Sequence, residues 1–273
     1  MTTLDQSVHS SAVSEHNKID NQARKALEFR DLHVPGRPLI LFNVWDVGSA
    51  KAVAAAGAKA IGTSSWSVAN ANGFVDGERI PLALAIESLR RIVAATDLPV
   101  TADLESGYGE TSDEVASTIA LAIEAGAIGC NLEDSFPATG KLREKGDQAD
   151  RIRRARRRAD TARFRFFINA RTDVFFQRSA ELHDGAMVLE AIERARIYAE
   201  VGADGLFAPG LSDISLIARL AEASPMPLNI MVSDATKPLW KLAEQGVARL
   251  SYGPRPYLLV MKALEEAAHQ AIA

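Results

Sequence analysis

This chain of 273 residues contains a single cysteine, Cys130. An internal disulfide is therefore impossible, and zinc sites built from two or four cysteines are excluded. Its position inside an apolar run indicates a buried structural residue. The chain also lacks a long uninterrupted apolar run, and its first 17 residues lack the apolar segment of a secretory signal. These absences argue against a membrane span and predict a cytoplasmic protein.

An excess of positive charge is missing as well. Lys and Arg number 31, Asp and Glu number 35, and the formal net charge is −4. A chain with that balance has no overall attraction for nucleic acid or for an anionic membrane. Six arginines do fall within residues 151–158, but a solvated helix face or a contact between subunits explains them better than a nucleic-acid stripe. We expect neither nucleic acid nor membrane as a partner.

A repeated junction organises most of the chain. A helical pattern stops at Gly57, Gly126, Gly202 or Gly246, and a short apolar run begins two or three residues later. Glycine suits the left-handed position that closes a helix, and short loops from helix to strand are typical of βα units. Other strand candidates follow prolines, and together they number eight, near residues 39, 60, 99, 127, 165, 205, 227 and 249. Eight such units predict a closed (β/α)₈ barrel rather than an open sheet.

The boundaries of this barrel follow from composition. Residues 1–15 are rich in Ser, Thr and His and are predicted to form a flexible tail. A helical pattern over residues 16–32 leads into the first strand, so we place one domain at 16–273. No Gly-x-Gly-x-x-Gly motif follows that strand, which argues against a dinucleotide-binding fold. The expected fold class is α/β, a single (β/α)₈ TIM-type barrel with an N-terminal leading helix.

Polar residues are concentrated where three successive strands end. They repeat with a period of two: Asp103 and Glu105, then Asn131 and Glu133, then Asn169, Arg171 and Asp173. This alternation places each set on one face of its strand. Barrel enzymes build their active sites at the carboxyl ends of the strands, so we expect these side chains to point into the barrel mouth.

The charges in this group predict a metal site. Asp103, Glu105 and Glu133 would place three like charges together at low dielectric, and they need compensation to stay ionised. A hard divalent cation provides it, and oxygen ligands favour Mg²⁺ or Mn²⁺. Arg171 would add a planar fork for the carboxylate of a small-molecule substrate. The alternative is a salt-bridge network that only closes the end of the barrel.

Two connections are long for loops that follow barrel strands. Residues 66–80 follow the second strand, and residues 135–147 follow the fourth. Long loops at the catalytic face often act as lids. For the second loop, a solvated surface excursion fits its composition equally well.

Motifs spread over residues 25–260 resemble the isocitrate lyase/phosphoenolpyruvate mutase superfamily. The matching stretches are NVWDVGSA (43–50), GTSS (62–65), GFVDGE (73–78), ADLESGYG (102–109), NLED (131–134) and NARTD (169–173), and FAPG (207–210) and RLSYG (249–253) are also similar. The resemblance implies a Mg²⁺-dependent lyase that cleaves a C–C bond in a small 2-hydroxy or 2-oxo carboxylate through an enolate. Cleavage of a P–C bond in a phosphonopyruvate-like substrate is the first alternative. A non-catalytic barrel that binds a metabolite is the second.

The resemblance also implies roles for individual residues. The metal would be held by Asp103, Glu105 and Glu133, with Asp103 as its main ligand. The substrate would be bound by Ser64, Ser65, Trp66, Asp103, Arg171 and Asn229. The candidate catalytic residues are Arg171, Glu133, Asp76 and Tyr108.

The departures from the family pattern bear on the reaction. The loop at residues 135–145 has neither the Cys and His of the isocitrate lyases nor the Asn-Ser pair of the mutase. Gly62, Pro209 and Met231 replace residues that define the reaction in the named branches. Asp103-x-Glu105, in place of Asp-x-Asp, resembles a phosphonomutase-like branch.

Subunit assembly is also implied. Members of the superfamily are commonly tetramers that exchange a C-terminal helix, so a homo-oligomer, a dimer or a tetramer, is expected. Only 19 residues follow Pro254. One helix is therefore available after Pro254, and the sequence does not decide whether subunits exchange it.

Overall fold

The structure, a computed structural model, describes residues 20–273. The flexible tail expected at residues 1–15 and the boundary at residue 16 lie outside the described residues. The leading helix is confirmed as α1, which occupies residues 20–31 of the described chain.

Eight strands alternate with helices along the rest of the chain. The strands are β1 Leu39–Leu41, β2 Ile61–Gly62, β3 Val100–Asp103, β4 Gly129–Glu133, β5 Phe167–Arg171, β6 Gly205–Phe207, β7 Leu228–Met231 and β8 Arg249–Ser251. The helices are α2 Val47–Ala55, α3 Ser65–Ala71, α4 Leu82–Ala94, α5 Ser112–Ala125, α6 Lys145–Ala159, α7 Gly185–Glu200, α8 Ile214–Ala223, α9 Trp240–Glu244 and α10 Arg255–Ile272. Two 3₁₀ turns, Val174–Phe176 and Ala180–Leu182, lie between β5 and α7.

All of the strand pairs are parallel, and the strands follow the order β1-β8-β7-β6-β5-β4-β3-β2. The ring closes between β1 and β2 through a parallel bridge of Val44 with Thr63, just beyond the strand ends. The predicted (β/α)₈ barrel is therefore confirmed. Cys130 is fully buried in the apolar layer between the strands and the helices, as its neighbours in the sequence indicated.

Residues 66–80 are not the continuous loop that the sequence suggested. Residues 65–71 form helix α3, which Ser64 caps through its side-chain oxygen. The cap supplies an acceptor to the backbone of Ser67 and so starts a helix where the composition indicated a loop. The second long connection, residues 135–144, folds back on itself through an antiparallel bridge of Ser135 with Leu142.

The arginine-rich stretch is a structural element of helix α6. Arg151 is buried and donates to the backbone carbonyls of Ser106, Gly109 and Glu110. Arg156 is also buried and pairs with Asp204 at 2.7 Å. The expectation of a purely solvated face is therefore wrong for these two arginines, because they tie α6 to the loops beside β3 and β6.

Helix α1 covers the amino-terminal end of the barrel. Phe29 and His33, one turn apart, pack on Phe167 of β5. The His33 ring stacks on the Phe167 ring, with 4.4 Å between the ring centroids. The Nδ1 atom of His33 lies 2.8 Å from the carbonyl oxygen of Phe29. Burial, together with the positive charge of Arg249, lowers the pKa of His33 from 6.5 to about 3. The imidazole is therefore neutral in the folded protein at neutral pH.

His33 should make the stability of the fold depend on pH. Its pKa is lower in the folded chain than in the unfolded chain, so stability is lost as the pH falls below about 6.5 towards 3. Between pH 7 and pH 5, we expect the free energy of unfolding of the wild type to fall by about 2 kcal/mol more than that of His33→Phe. Urea unfolding at the two pH values measures this difference. Exposed His269 provides the control: His269→Gln should follow the wild type. Equal losses of unfolding free energy for the wild type and His33→Phe would contradict the lowered pKa of His33.

None of the helices within residues 20–273 combines the length and the apolar character that a membrane span requires.

Candidate active site

A cavity of about 190 Å³ opens at the carboxyl ends of the strands. Its polar wall is formed by Asn43, Ser64, Ser65, Asp76, Asp103, Asn131, Arg171 and Ser251. Its apolar wall is formed by Trp66, Phe176, Phe207, Pro209, Met231 and Pro254, beside Gly253. Pockets for drug-sized ligands have volumes of about 300–1,000 Å³, so this cavity suits a smaller molecule.

Asp103 is the last residue of β3 and faces the cavity. Its Oδ2 atom accepts hydrogen bonds from the backbone N–H of Ser65 at 3.1 Å and from the Ser65 hydroxyl at 2.9 Å. Its Oδ1 atom accepts from the side-chain amide of Asn131 at 3.3 Å. Donors from the start of α3 and from β4 therefore hold this carboxylate in a fixed orientation.

Asp76 shares the cavity with Asp103. It lies in the loop between α3 and α4, and burial and the nearby Asp103 charge raise the pKa of its carboxyl. Two carboxylates at one small cavity repel each other, and a bound cation relieves that repulsion. The pair is thus suited to hold a positive ion.

Glu105 is turned towards the protein backbone. Its Oε2 atom accepts from the N–H groups of Gly77 and Glu78 at 2.8 and 2.7 Å, and its Oε1 atom accepts from the Tyr108 hydroxyl at 3.0 Å. Burial and the Asp76 charge raise the pKa of Glu105 to about 7. Glu105 therefore anchors the loop that carries Asp76.

Tyr108 serves as a donor to that carboxylate. Burial and the neighbouring Glu105 raise the pKa of the phenol well above its ordinary value. In the described part of the chain, Tyr108 does not line the cavity of about 190 Å³. The structure brings this sequence-predicted residue to Glu105, and its catalytic role stays a prediction.

Arg171 joins two carboxylates at the end of β5. Its Nη1 atom lies 2.7 Å from Oε2 of Glu133, and its Nε and Nη2 atoms bind the two oxygens of Asp173 at 2.6 and 3.0 Å. The Ser135 hydroxyl is within hydrogen-bond distance of both carboxylates. Burial alone would lower the pKa of Arg171, but Glu133 and Asp173 raise it above its ordinary value. The guanidinium is a permanent positive charge at the cavity.

Arg249 is a buried residue that supports the cavity wall through Asn131, and the sequence patterns did not identify it. It is 1% exposed on β8, and its Nη2 atom lies 3.3 Å from Oδ1 of Asn131. A guanidinium has no acceptor, so the oxygen of Asn131 must face Arg249 and its NH₂ must face Asp103. The Asn169 side chain donates to the same oxygen at 2.9 Å. The alternation of Arg249 with Ser251, as on the other strands, could have revealed it.

Asn229, predicted to bind substrate, is fully buried on β7. Its side-chain oxygen accepts from the Ser251 hydroxyl at 3.2 Å, and in the described part of the chain it does not line the cavity. It therefore supports Ser251, which does line the cavity.

The predicted metal set is only partly assembled. Within residues 20–273, no group of three or more His, Cys, Asp and Glu side chains has the arrangement of a metal site. Asp103 faces the cavity, whereas Glu105 and Glu133 contact their own hydrogen-bond and charge partners. The direct ligand set of Asp103, Glu105 and Glu133 stays a prediction.

Comparisons with known proteins agree with this architecture. The sequence profile of the family described as phosphoenolpyruvate phosphomutase matches residues 29–272. A crystal structure from Burkholderia cenocepacia J2315, provisionally named a phosphonomutase, is 58% identical with a TM-score of 0.90, over 92% of this chain and 99% of that one. The 2-methylisocitrate lyase of Escherichia coli K12 is 30% identical over 87% of this chain and 83% of its own length.

A more distant structure shares the fold. It is a phosphonopyruvate hydrolase in complex with oxalate and Mg²⁺, 21% identical with a TM-score of 0.76, over 90% of this chain and 86% of that one. The family profile, the B. cenocepacia protein and the E. coli lyase each match most of the chain. The chain therefore belongs to the phosphoenolpyruvate phosphomutase family, whose members are lyases and phosphonomutases of the isocitrate lyase/phosphoenolpyruvate mutase superfamily.

Proposed function

We propose that this protein is a Mg²⁺-dependent lyase that cleaves a C–C bond in a small 2-hydroxy or 2-oxo carboxylate through an enolate. The observation that carries the proposal is the meeting of Asp76, Asp103 and Arg171 at one cavity of about 190 Å³. Two carboxylates suit a cation, and a guanidinium suits the carboxylate of a substrate.

The donor set fits magnesium. Mg²⁺ keeps several of its waters in proteins and binds through one or two carboxylates, so it does not need a cluster of three. Asp103 and Asp76 would hold the ion, and Glu105 and Glu133 would act on it through water. Mn²⁺ takes the same oxygen ligands. When bound, the ion would supply Lewis-acid polarisation of the substrate oxygens.

The chain's own groups would bind and orient the substrate. Arg171 would hold its carboxylate, although the guanidinium must be shared with Glu133 and Asp173. The first N–H groups of α3 have no acceptor within the helix, and that of Ser65 donates to Asp103, so the N–H of Trp66 would donate to negative charge that develops on oxygen. Ser64 would position these donors by capping the helix.

Proton transfer would fall to a carboxyl group that lines the cavity or that contacts Arg171. Asp76 is one candidate in a state where it does not bind the ion, because a carboxylate that binds Mg²⁺ stays ionised. Glu133, bound to Arg171 and Ser135, is the second candidate. Tyr108 would act through Glu105, by fixing the loop that carries Asp76.

Metal-dependent oxalate binding tests the proposal, because oxalate carries the paired oxygens of a 2-oxo carboxylate or its enolate. We expect oxalate to bind about 100-fold more tightly with saturating Mg²⁺ than with EDTA, since both the ion and Arg171 would contact it. Isothermal titration calorimetry of the wild type under the two conditions measures the ratio. Equal affinity with and without Mg²⁺ would contradict a metal-dependent site.

Cleavage of a P–C bond is the second candidate function. It is favoured by the 58% identity to the B. cenocepacia protein provisionally named a phosphonomutase. Phosphorus NMR of phosphonopyruvate incubated with the protein and Mg²⁺ separates the candidates, because P–C cleavage or rearrangement produces a new phosphorus signal. A spectrum unchanged over time rejects this second candidate. Oxalate binding combined with no turnover of phosphonates or of 2-oxo and 2-hydroxy acids would favour a non-catalytic metabolite-binding barrel.

We also propose that the protein is a cytoplasmic homo-oligomer, a dimer or a tetramer. The apolar side chains of Leu258, Leu259 and Leu264 on α10 are exposed, and Pro256 is the one residue of that helix that is buried. An apolar groove of about 560 Å³ outside β1 exposes Ile40 and Phe42. We infer that the α10 face of one copy covers the groove of another. The buried, unpaired Cys130 is compatible with a reducing cytoplasm.

A charge on α10 should separate the subunits. Leu259 is 63% exposed, and burial of such a side chain in an interface contributes about 1.5–3 kcal/mol. We expect the wild type to sediment as a dimer or tetramer at micromolar concentration and Leu259→Glu to sediment as a smaller species. Lys262→Gln, at an exposed polar position of the same helix, should leave assembly unchanged. A monomeric wild type would contradict the proposal.

A further inference from the structure

The apolar wall of the cavity limits what the far end of a substrate can be. Apart from the polar residues around Asp103 and Arg171, the cavity is bounded by Trp66, Phe176, Phe207, Pro209, Met231 and Pro254. Phe207 is buried, and the Met231 side chain packs against Gly253. Apart from the indole N–H of Trp66, no side chain in this wall can donate a hydrogen bond to a carboxylate.

Positive charge at the cavity is limited to one group. Among residues 20–273, Arg171 is the one cationic side chain that lines it, and Arg171 is already paired with Glu133 and Asp173. Asp76 and Asp103 contribute negative charge to the same cavity. An anionic group at the far end of the ligand, away from Arg171 and from the proposed ion, would therefore lose its water without gaining a cation, and burial of an unpaired charge is strongly unfavourable.

Cations from the surrounding loops are positioned elsewhere. The Arg143 guanidinium lies over the Phe136 ring at 4.0 Å, and Arg79 lines a separate cavity of about 760 Å³ beside Glu78. Arg249 lies beneath Asn131 and is fully buried. None of the three belongs to the wall of the smaller cavity in the described part of the chain.

Resting on the proposed function, we infer that the physiological ligand is a monocarboxylate: a 2-oxo or 2-hydroxy acid whose carboxylate end meets Arg171 and whose short, uncharged tail packs on Met231 and Phe207. Met231 lies at the carboxyl end of β7, in register with Ser251 of the polar wall, so it stands where the polar and apolar parts of the cavity meet. Unbranched methionine adapts to apolar tails of varied shape.

Two ligands of nearly equal size test this inference. In malate the second carboxylate occupies the place that an isopropyl group occupies in 2-hydroxy-4-methylpentanoate. We expect the apolar acid to bind the wild type about 10- to 100-fold more tightly than malate in saturating Mg²⁺, by calorimetry. Malate binding equally or more tightly would overturn the inference. Oxalate, titrated in parallel with Mg²⁺ and with EDTA, reports on the proposed function: metal-independent oxalate binding would overturn that proposal instead.

A charge at Met231 should change the preference. Met231→Lys supplies the missing cation, so the affinity ratio should shift towards malate by about tenfold or more, whereas the matched variant Met231→Leu should keep the wild-type order. A folded Met231→Lys protein with the wild-type ratio would overturn the placement of the tail at Met231. Circular dichroism establishes folding, and if the variant does not fold, the wild-type comparison of the two acids decides the inference.

Discussion

Replacing Asp103 with alanine is expected to weaken Mg²⁺-dependent oxalate binding by about 100-fold or more. Asp103 is the carboxylate at the cavity that both Ser65 donors and the Asn131 amide hold in place. Removal of partners that only orient a metal ligand already costs about 10- to 100-fold in metal affinity, so removal of the ligand itself should reach at least the upper end of that range. Calorimetric titration with oxalate in saturating Mg²⁺ measures the loss.

A matched control separates this effect from a change in net charge. Asp150 is exposed on α6 and pairs with Arg153 there, so Asp150→Ala removes the same group far from the cavity. It should bind oxalate as the wild type does. Asp103→Ala with wild-type affinity would refute the assignment of Asp103 as the main metal ligand.

Replacing Arg171 with glutamine should lower the free energy of unfolding by about 3–5 kcal/mol. The substitution leaves Glu133 and Asp173 buried without their shared cation, and the Ser135 hydroxyl alone cannot compensate two charges. Oxalate affinity should fall as well, because the carboxylate loses its guanidinium partner. Urea unfolding and calorimetry measure the two effects.

Two further variants define what that result means. Arg171→Lys keeps a charge but loses the paired contact with Asp173, so we expect much of the stability and little of the oxalate affinity to return. Arg90→Gln breaks an exposed pair with Glu87 and should change stability by less than about 1 kcal/mol. A loss for Arg171→Gln as small as that for Arg90→Gln would contradict a buried charge network at the mouth.

The sequence determined the barrel and the positions of its polar strand ends because both depend on local patterns. Glycines at helix ends, prolines before strands and a period of two at Asp103, Asn131 and Asn169 are readable without knowledge of distant contacts. Register then places these side chains together, since Asp103 is aligned with Asn131 and Asn131 with Asn169 in the structure.

The partner of each side chain could not be read in this way. Glu105 has the spacing of a metal ligand, but its backbone adopts a φ of 50° and its carboxylate receives the N–H groups of Gly77 and Glu78. Arg249 is distant in the sequence from Asn131, which it orients. Such contacts depend on loop conformations and on the packing of the barrel interior, which no local pattern encodes.

The closure between β1 and β2 has a consequence for ligand binding. Two backbone hydrogen bonds join the two sides: the Val44 N–H donates to the Gly62 carbonyl, and the Ser64 N–H donates to the Val44 carbonyl. Next to them, the side-chain amide of Asn43 donates to the Thr63 carbonyl. Asn43 and Ser64 also line the cavity, one on each side of this seam. A molecule that contacts both residues binds the closed ring, so its binding shifts the equilibrium between open and closed barrel towards the closed form. Occupancy and ring closure therefore reinforce each other, and the barrel resists opening most when its mouth is filled.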